Sequence, residues 1–348
     1  MRVLITGGAG FIGTNYVYAH LRRRPEDSLT VLDALTYSGH RENLAEAEGH
    51  GVKFVHGRIE DKKSIFELFE AEKFDLVVHF AAETHVDHSI KEPSVFVSTN
   101  VAGTQTLLDA AREFGVKRFH HISTDEVYGD LGFANGENSD VKFTEDSPIR
   151  PSSPYSASKA ASDFMVMAYH RTYGLPVTIS RCSNNFGPYQ SLENLIPLLI
   201  ACASKGEKLP IYGTGKNVRD WLFVEDHCNA ILEILEKGKI GQIYNIGGGN
   251  SLENLEVAKV ILDLIGAPET LIDFVPDRKG HDERYAVDYS RLNSETGWEP
   301  KTSFKEGILK TVEWYKMGLY ERSHTSGRHG NAPTTAHQSH KQTLIADL

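Results

Sequence analysis

Thr124-Asp125-Glu126 and, 29 positions after Glu126, Tyr155 with Lys159 four residues on, are the side chains here whose types and spacing could do chemistry. An i, i+4 spacing puts Tyr155 and Lys159 on one face of a helix. A free tyrosine ionises near pH ~10. A neighbouring ammonium, aided by a positively charged cofactor ring, stabilises the phenolate and lets it act as a base near neutrality. Two adjacent carboxyls beside such a site suit an acid and a base with separated pKa values. Their other reading is a strand-end pair that caps a helix or faces solvent. Hydride transfer alone does not need them, so the set points to oxidation, elimination and reduction within one site.

The elements that must position these residues alternate. Short β-branched runs at 3–6, 29–32, 52–55, 76–80, 118–122 and 177–180 read as strands. Helical spacing covers 11–21, 62–69, 95–114 and 158–173. This is the pattern of an α/β, doubly wound parallel Rossmann sheet. After about residue 183 the rhythm breaks into helices at 195–205, 224–237 and 255–265. We read 1–183 as a dinucleotide-binding domain, with the chain crossing back later, and 184–317 as a smaller mixed α/β substrate domain. Residues 323–348, polar and without periodicity, read as a flexible tail.

The loop Thr6–Gly13 follows the first strand and opens the first helix, with Gly7, Gly10 and Gly13 in G-x-x-G-x-x-G spacing. Such glycines allow a tight turn and close approach to a pyrophosphate, at a helix N-terminus that favours anions. Asp33, twenty residues past Gly13, ends the second strand, where a carboxylate accepts from ribose hydroxyls and repels a 2′-phosphate. No arginine follows it directly, so NAD is expected over NADP. Ala81-Ala82-Glu83 and Thr99-Asn100 are expected along the cofactor's other edge.

Against 47 acidic residues stand 37 basic ones, a net charge of −10, which argues against a nucleic-acid surface. Cys182, Cys202 and Cys228 form no C-x-x-C pair and the histidines show no ligand spacing, so neither disulfides nor a metal site is expected. No apolar stretch reaches the roughly 18 residues of a membrane span. A cytoplasmic protein is expected.

The motifs together resemble the dTDP-glucose 4,6-dehydratase family, within the extended short-chain dehydrogenase/reductase superfamily of nucleotide-sugar enzymes. The resemblance covers about residues 1–317 and rests on Thr6–Gly13, 33–37, 81–87, 123–129, Tyr155–Lys159, 181–185, 219–221, 244–248 and 280–282. It implies that Tyr155 takes the proton of the sugar O4 while C4 delivers hydride to NAD, with Thr124 and Lys159 assisting. Glu126 then removes the C5 proton, Asp125 protonates the departing C6 hydroxyl, and hydride returns to C6.

The resemblance also places NAD against Gly7, Gly10, Phe11, Ile12, Gly13, Asp33, Ala34, Leu35, Thr36, Arg58, Ile59, Ala81, Ala82, Glu83, Thr99, Tyr155, Lys159 and Asn185. The hexose falls to Thr84, His85 and Thr124, and the diphosphate to Arg219, Arg278, Asn184 and Asn254. The base falls to Leu195, Ile196, Pro197, Leu198, Pro210, Ile211 and Tyr212, supported by His281. A homodimer through helices 95–114 and 158–173 is implied. The chain departs from the family's pattern at Ala34, Arg58, Asn194 and Lys279, the last two in the nucleotide half, where dTDP and UDP would be told apart. The rival readings are a 4-epimerase using the same Tyr155 and Lys159, and a non-catalytic NAD-binding protein.

Overall fold

The computed structural model describes residues 1–132, 140–277 and 280–318. The expected tail and Arg278 lie outside those residues. Strands β1 (Arg2–Thr6), β2 (Ser28–Asp33), β3 (Lys53–His56), β4 (Leu76–His79), β5 (Arg118–Thr124) and β6 (Val177–Cys182) arise where the apolar runs predict them. Val3, Leu4 and Ile5 are all sealed from solvent, as in a parallel strand covered on both faces. Beyond β6 come β7 (Asn184–Phe186), β8 (Leu209–Tyr212), β9 (Val218–Phe223), β10 (Ile243–Ile246), β11 (Ser251–Glu253) and β12 (Ile272–Val275).

The main sheet is parallel and runs β10-β6-β5-β4-β1-β2-β3. The order reverses direction between β1 and β4, which opens a crevice at the carboxyl ends of those strands. β10 belongs to this sheet although it follows the break in rhythm. Helix Val224–Lys237 packs its Cys228, Ile231 and Ile234 into the same core as Tyr16 and Val17 of helix Phe11–Arg23. The remaining strands form two small sheets, β11-β9-β7 and β12-β8, over a separate apolar cluster that includes Phe186, Leu199, Ile211 and Ile261.

Two helices differ from the periodic reading. The helix that carries Tyr155 and Lys159 spans Pro154–Tyr173, starting four residues before position 158. Ser153 and Ser156 form a reciprocal capping box and Pro154 fills the first turn, so the helix begins as soon as backbone donors are satisfied. The expected helix 95–114 is not continuous. A π-helical stretch, Val97–Gly103, separates Pro93–Phe96 from Thr104–Glu113. Its wider turn sets Asn100 inward, where Nδ2 donates to Glu83 O (3.0 Å) and Ser158 Oγ (2.8 Å) and Oδ1 accepts from Glu83 N (2.8 Å). Among the described residues no helix is long and apolar enough to cross a membrane.

Candidate active site

A cavity of about 650 Å³ runs from the glycine loop, across the carboxyl ends of β1, β4 and β5, to the small sheets. Gly7 has φ +71°, and a Cβ there would meet Ala81 N at 2.6 Å; one on Gly13 would meet Gly7 O at 2.2 Å. The loop therefore tolerates no side chain at either position. Gly10 caps helix Phe11–Arg23 without a side-chain bond, leaving its first N–H groups directed at the cavity end. Asp33 Oδ2 accepts from Ala9 N (3.0 Å) and Oδ1 from Leu35 N (2.8 Å), so the carboxylate is fixed at the rim. Burial nonetheless pushes it above its usual range. A Gly-lined turn, open helix donors and an oriented acid fit a dinucleotide.

The acid pair begins where β5 ends. Thr124 caps a short helical turn, its Oγ1 accepting from Glu126 N (3.3 Å) and donating to Asp125 Oδ1 (3.4 Å). Asp125 is 2% exposed, and its Oδ2 has no hydrogen-bond partner. Burial, then the Glu126 carboxylate and Asp220, hold its carboxyl well above the usual range. Asp125 is thus shifted toward its protonated form beside the half-buried Glu126, the direction in which an acid–base pair separates its roles.

Tyr155 and Lys159 line the same wall. The expectation that Lys159 lowers Tyr155 does not describe the protein alone. Burial, then Glu126 and Cys182, push the phenol well above 10. The Lys159 ammonium instead donates to Ile122 O at 2.7 Å, and burial brings it down to about 8 against the opposing pull of Asp163.

On the far side, Arg219 is 5% exposed, donates to Val218 O (2.8 Å) and Asp282 O (2.9 Å), and lies over the Tyr285 ring at 4.5 Å. These bonds orient a guanidinium that also faces the cavity. The Oδ1 atoms of Asn184 and Asn254 are buried without partners, as is Trp221 Nε1. His281 Nδ1 lies 2.7 Å from Asp277 Oδ1, its ring edge-on to Tyr212.

Of the residues named from the sequence, Gly7, Gly10, Phe11, Ile12, Gly13, Asp33, Ala34, Thr36, Arg58, Ile59, Ala81, Ala82, Glu83, Thr84, His85, Thr99, Asn184, Asn185, Leu195, Ile196, Leu198, Pro210, Tyr212, Arg219, Asn254 and His281 line this one cavity, with all five proposed catalytic residues. Three do not. Leu35, at φ +50°, packs against the core beside β2. Pro197 is buried within helix Leu195–Lys205. Ile211 points into the small-sheet core, because neighbours on a strand face opposite ways and Pro210 and Tyr212 take the cavity side. Wall residues that were not anticipated include Glu60, His88, Cys182, Ser183, Gln190 and Trp221. Trp221 was legible: it stands two positions after Arg219 on β9, hence on the same face.

Residues 4–311 match the family model described as GDP-mannose 4,6 dehydratase. The dTDP-glucose 4,6-dehydratase of Xanthomonas campestris pv. campestris (strain B100) is 50% identical over 331 residues, which covers 90% of this chain and 92% of that one. The crystal structure of DesIV, a dTDP-glucose 4,6-dehydratase from Streptomyces venezuelae with NAD bound, aligns at TM-score 0.87 and 48% identity, covering 93% of this chain and 100% of that one. UDP-glucose 4-epimerase from Thermotoga maritima shares the fold at TM-score 0.84 with 31% identity, over 92% of this chain and 100% of its own. The chain belongs to the 4,6-dehydratase family which that family model defines, as its motifs implied.

Proposed function

We propose that this protein removes water from dTDP-glucose to give the 4-keto-6-deoxy sugar, with NAD regenerated in each cycle. The observation that carries the reading is Asp125, a buried carboxyl held above its usual range and adjoining Glu126 and Thr124 in the wall that also holds Tyr155 and Lys159. A 4-epimerase needs the tyrosine and lysine but has no use for a second acid–base pair. The resemblance to curated dTDP-glucose 4,6-dehydratases at about half identity supports the same choice.

In this reading Tyr155 serves as base only in the loaded site. There the positive nicotinamide ring of bound NAD would join the Lys159 ammonium, charged below pH about 8, in offsetting burial and stabilising the phenolate that takes the proton of the sugar O4. NAD, when bound, supplies the acceptor for the C4 electron pair and returns that pair at C6. The 4-ketone acidifies C5–H, which Glu126 removes, while Asp125 gives its proton to the departing C6 hydroxyl as water. Glu126 finally returns a proton to C5. Arg219, Asn184 and Asn254 supply a cation and polar groups for the diphosphate. The glycine loop and Asp33 hold the adenosine half of the cofactor.

The half at 1–183 together with β10 is the cofactor-binding unit in this reading, and most of 184–317 binds the nucleotide sugar. Val97 and Phe164, both more than half exposed on the two helices named from the resemblance, supply an apolar face for a homodimer. A cytoplasmic location accords with this chemistry.

The test is incubation with dTDP-glucose and mass spectrometry of the product. Loss of one water is expected. Unchanged mass with an inverted C4 would replace the proposal by epimerisation, and UDP-glucose in parallel reports base selectivity.

A further inference from the structure

We propose that Gln190 is a cofactor-contacting residue whose Oε1 accepts a hydrogen bond from the carboxamide N–H₂ of the nicotinamide ring; this rests on reading the cleft as an NAD site. Gln190 is 5% exposed and lines the cavity. Its Nε2 donates to Asn185 O at 3.0 Å. A carbonyl can only accept, so the NH₂ must face Asn185 and the amide oxygen must face the other way. That oxygen is buried and has no hydrogen-bond partner within the chain. A buried acceptor in a ligand cleft calls for a ligand donor.

Position selects the donor. Asn185 lies three residues past Cys182, the last residue of β6, which pairs with Thr124 on β5. Cys182 Sγ also donates to Ser123 O. Gln190 is therefore tied to the reacting end of the cleft, away from Asp33, which marks the adenosine end. At the reacting end the ring carboxamide is the cofactor's N–H donor.

The rest of the loop holds this one amide in place. Pro188 O accepts from Asn15 Nδ2 at 2.9 Å, and Gln190 O accepts from Tyr315 OH. Tyr189 takes φ +69°, a left-handed conformation that a bulky residue adopts only when its surroundings impose it. Those surroundings are Tyr18, stacked on it at 6.2 Å, and Trp314 at 5.1 Å. Helix Phe11–Arg23 and helix Phe304–Lys316 thus grip the loop from two sides and fix which way Gln190 faces.

The test exchanges the retained dinucleotide for 3-acetylpyridine adenine dinucleotide, in which a methyl ketone replaces the amide. The bound fraction of each is read by native mass spectrometry. Wild-type protein is expected to prefer NAD by roughly tenfold, the worth of one hydrogen bond. Gln190→Met, which keeps the length and removes the acceptor, is expected to hold both equally; Gln190→Ala provides the same comparison if the methionine variant does not fold. A loop with only a structural role would weaken both dinucleotides alike and leave the preference intact, and that result overturns the proposal. Equal retention by wild type overturns it as well. Wild type that binds neither dinucleotide would instead refute the NAD reading itself.

Discussion

Arg181 Nε donates to Asp163 Oδ2 over 2.9 Å, with both side chains buried, which ties helix Pro154–Tyr173 to β6 one turn past Lys159. Burial alone would push the Asp163 carboxyl up. His121, whose Nε2 lies 3.5 Å from Asp163 Oδ1, and the Arg181 charge outweigh it and hold the group below its usual range.

Asp163→Asn leaves the Arg181 charge buried without its partner and is expected to cost about 3–5 kcal/mol of stability in urea unfolding at pH 7. The substitution also removes the anion that raises Lys159. Activity in the surviving protein should therefore decline at lower pH on its alkaline side than in wild type. An alkaline limb at the wild-type position would show that Asp163 acts on the fold alone.

Asp125→Asn separates stability from chemistry. A carboxyl held above its unfolded pKa weakens the fold once pH exceeds about 4, because the unfolded chain ionises it freely. The amide carries no such cost, so Tm at pH 7 should rise or hold while turnover falls by orders of magnitude. A variant that loses both would mark Asp125 as a structural group.

Glu126→Gln should leave C4 oxidation measurable and abolish exchange of the C5 proton with solvent deuterium, followed by NMR. Tyr155→Phe should slow the oxidation itself by orders of magnitude, seen as loss of the transient absorbance of reduced cofactor. Exchange at the wild-type rate in the first variant would remove Glu126 from its role.

Acid should destabilise the protein before its carboxylates titrate. Burial pushes His121 down to about 4 and His227 to about 3, and holds His79 and His120 well below 6.5. The unfolded chain binds these protons near pH 6.5 and the native state does not. Their contribution is therefore complete above that pH and lost as pH falls below it. Each histidine adds about 1.4 kcal/mol per pH unit across its window. Urea unfolding between pH 7 and 5 measures the slope, and His120→Gln should reduce it by one proton.

Much of the cavity wall could be read from the sequence because its signals are local. The glycine loop, Asp33 and the Tyr155–Lys159 spacing each sit within one turn or one strand end. The less legible features depend on contacts between distant segments. β10 joins the main sheet by pairing Ile243 with Ile179, and nothing within 243–246 states that partner. The π stretch at Val97–Gly103 follows from Asn100 reaching Glu83 and Ser158, which periodicity cannot report. Burial of Tyr155 among negative groups set its ionisation against the effect expected of Lys159, a balance decided by packing.

The return of β10 means that the two halves are not separable modules. A chain stopped at residue 183 would leave the β6 edge bare and strip helix Val224–Lys237 from the back of helix Phe11–Arg23. Such a fragment is expected to aggregate when expressed. Exchange of the later halves between relatives would have to carry the segment 224–246 with the acceptor sheet, so new specificities are better sought by changing single wall residues than by grafting whole segments.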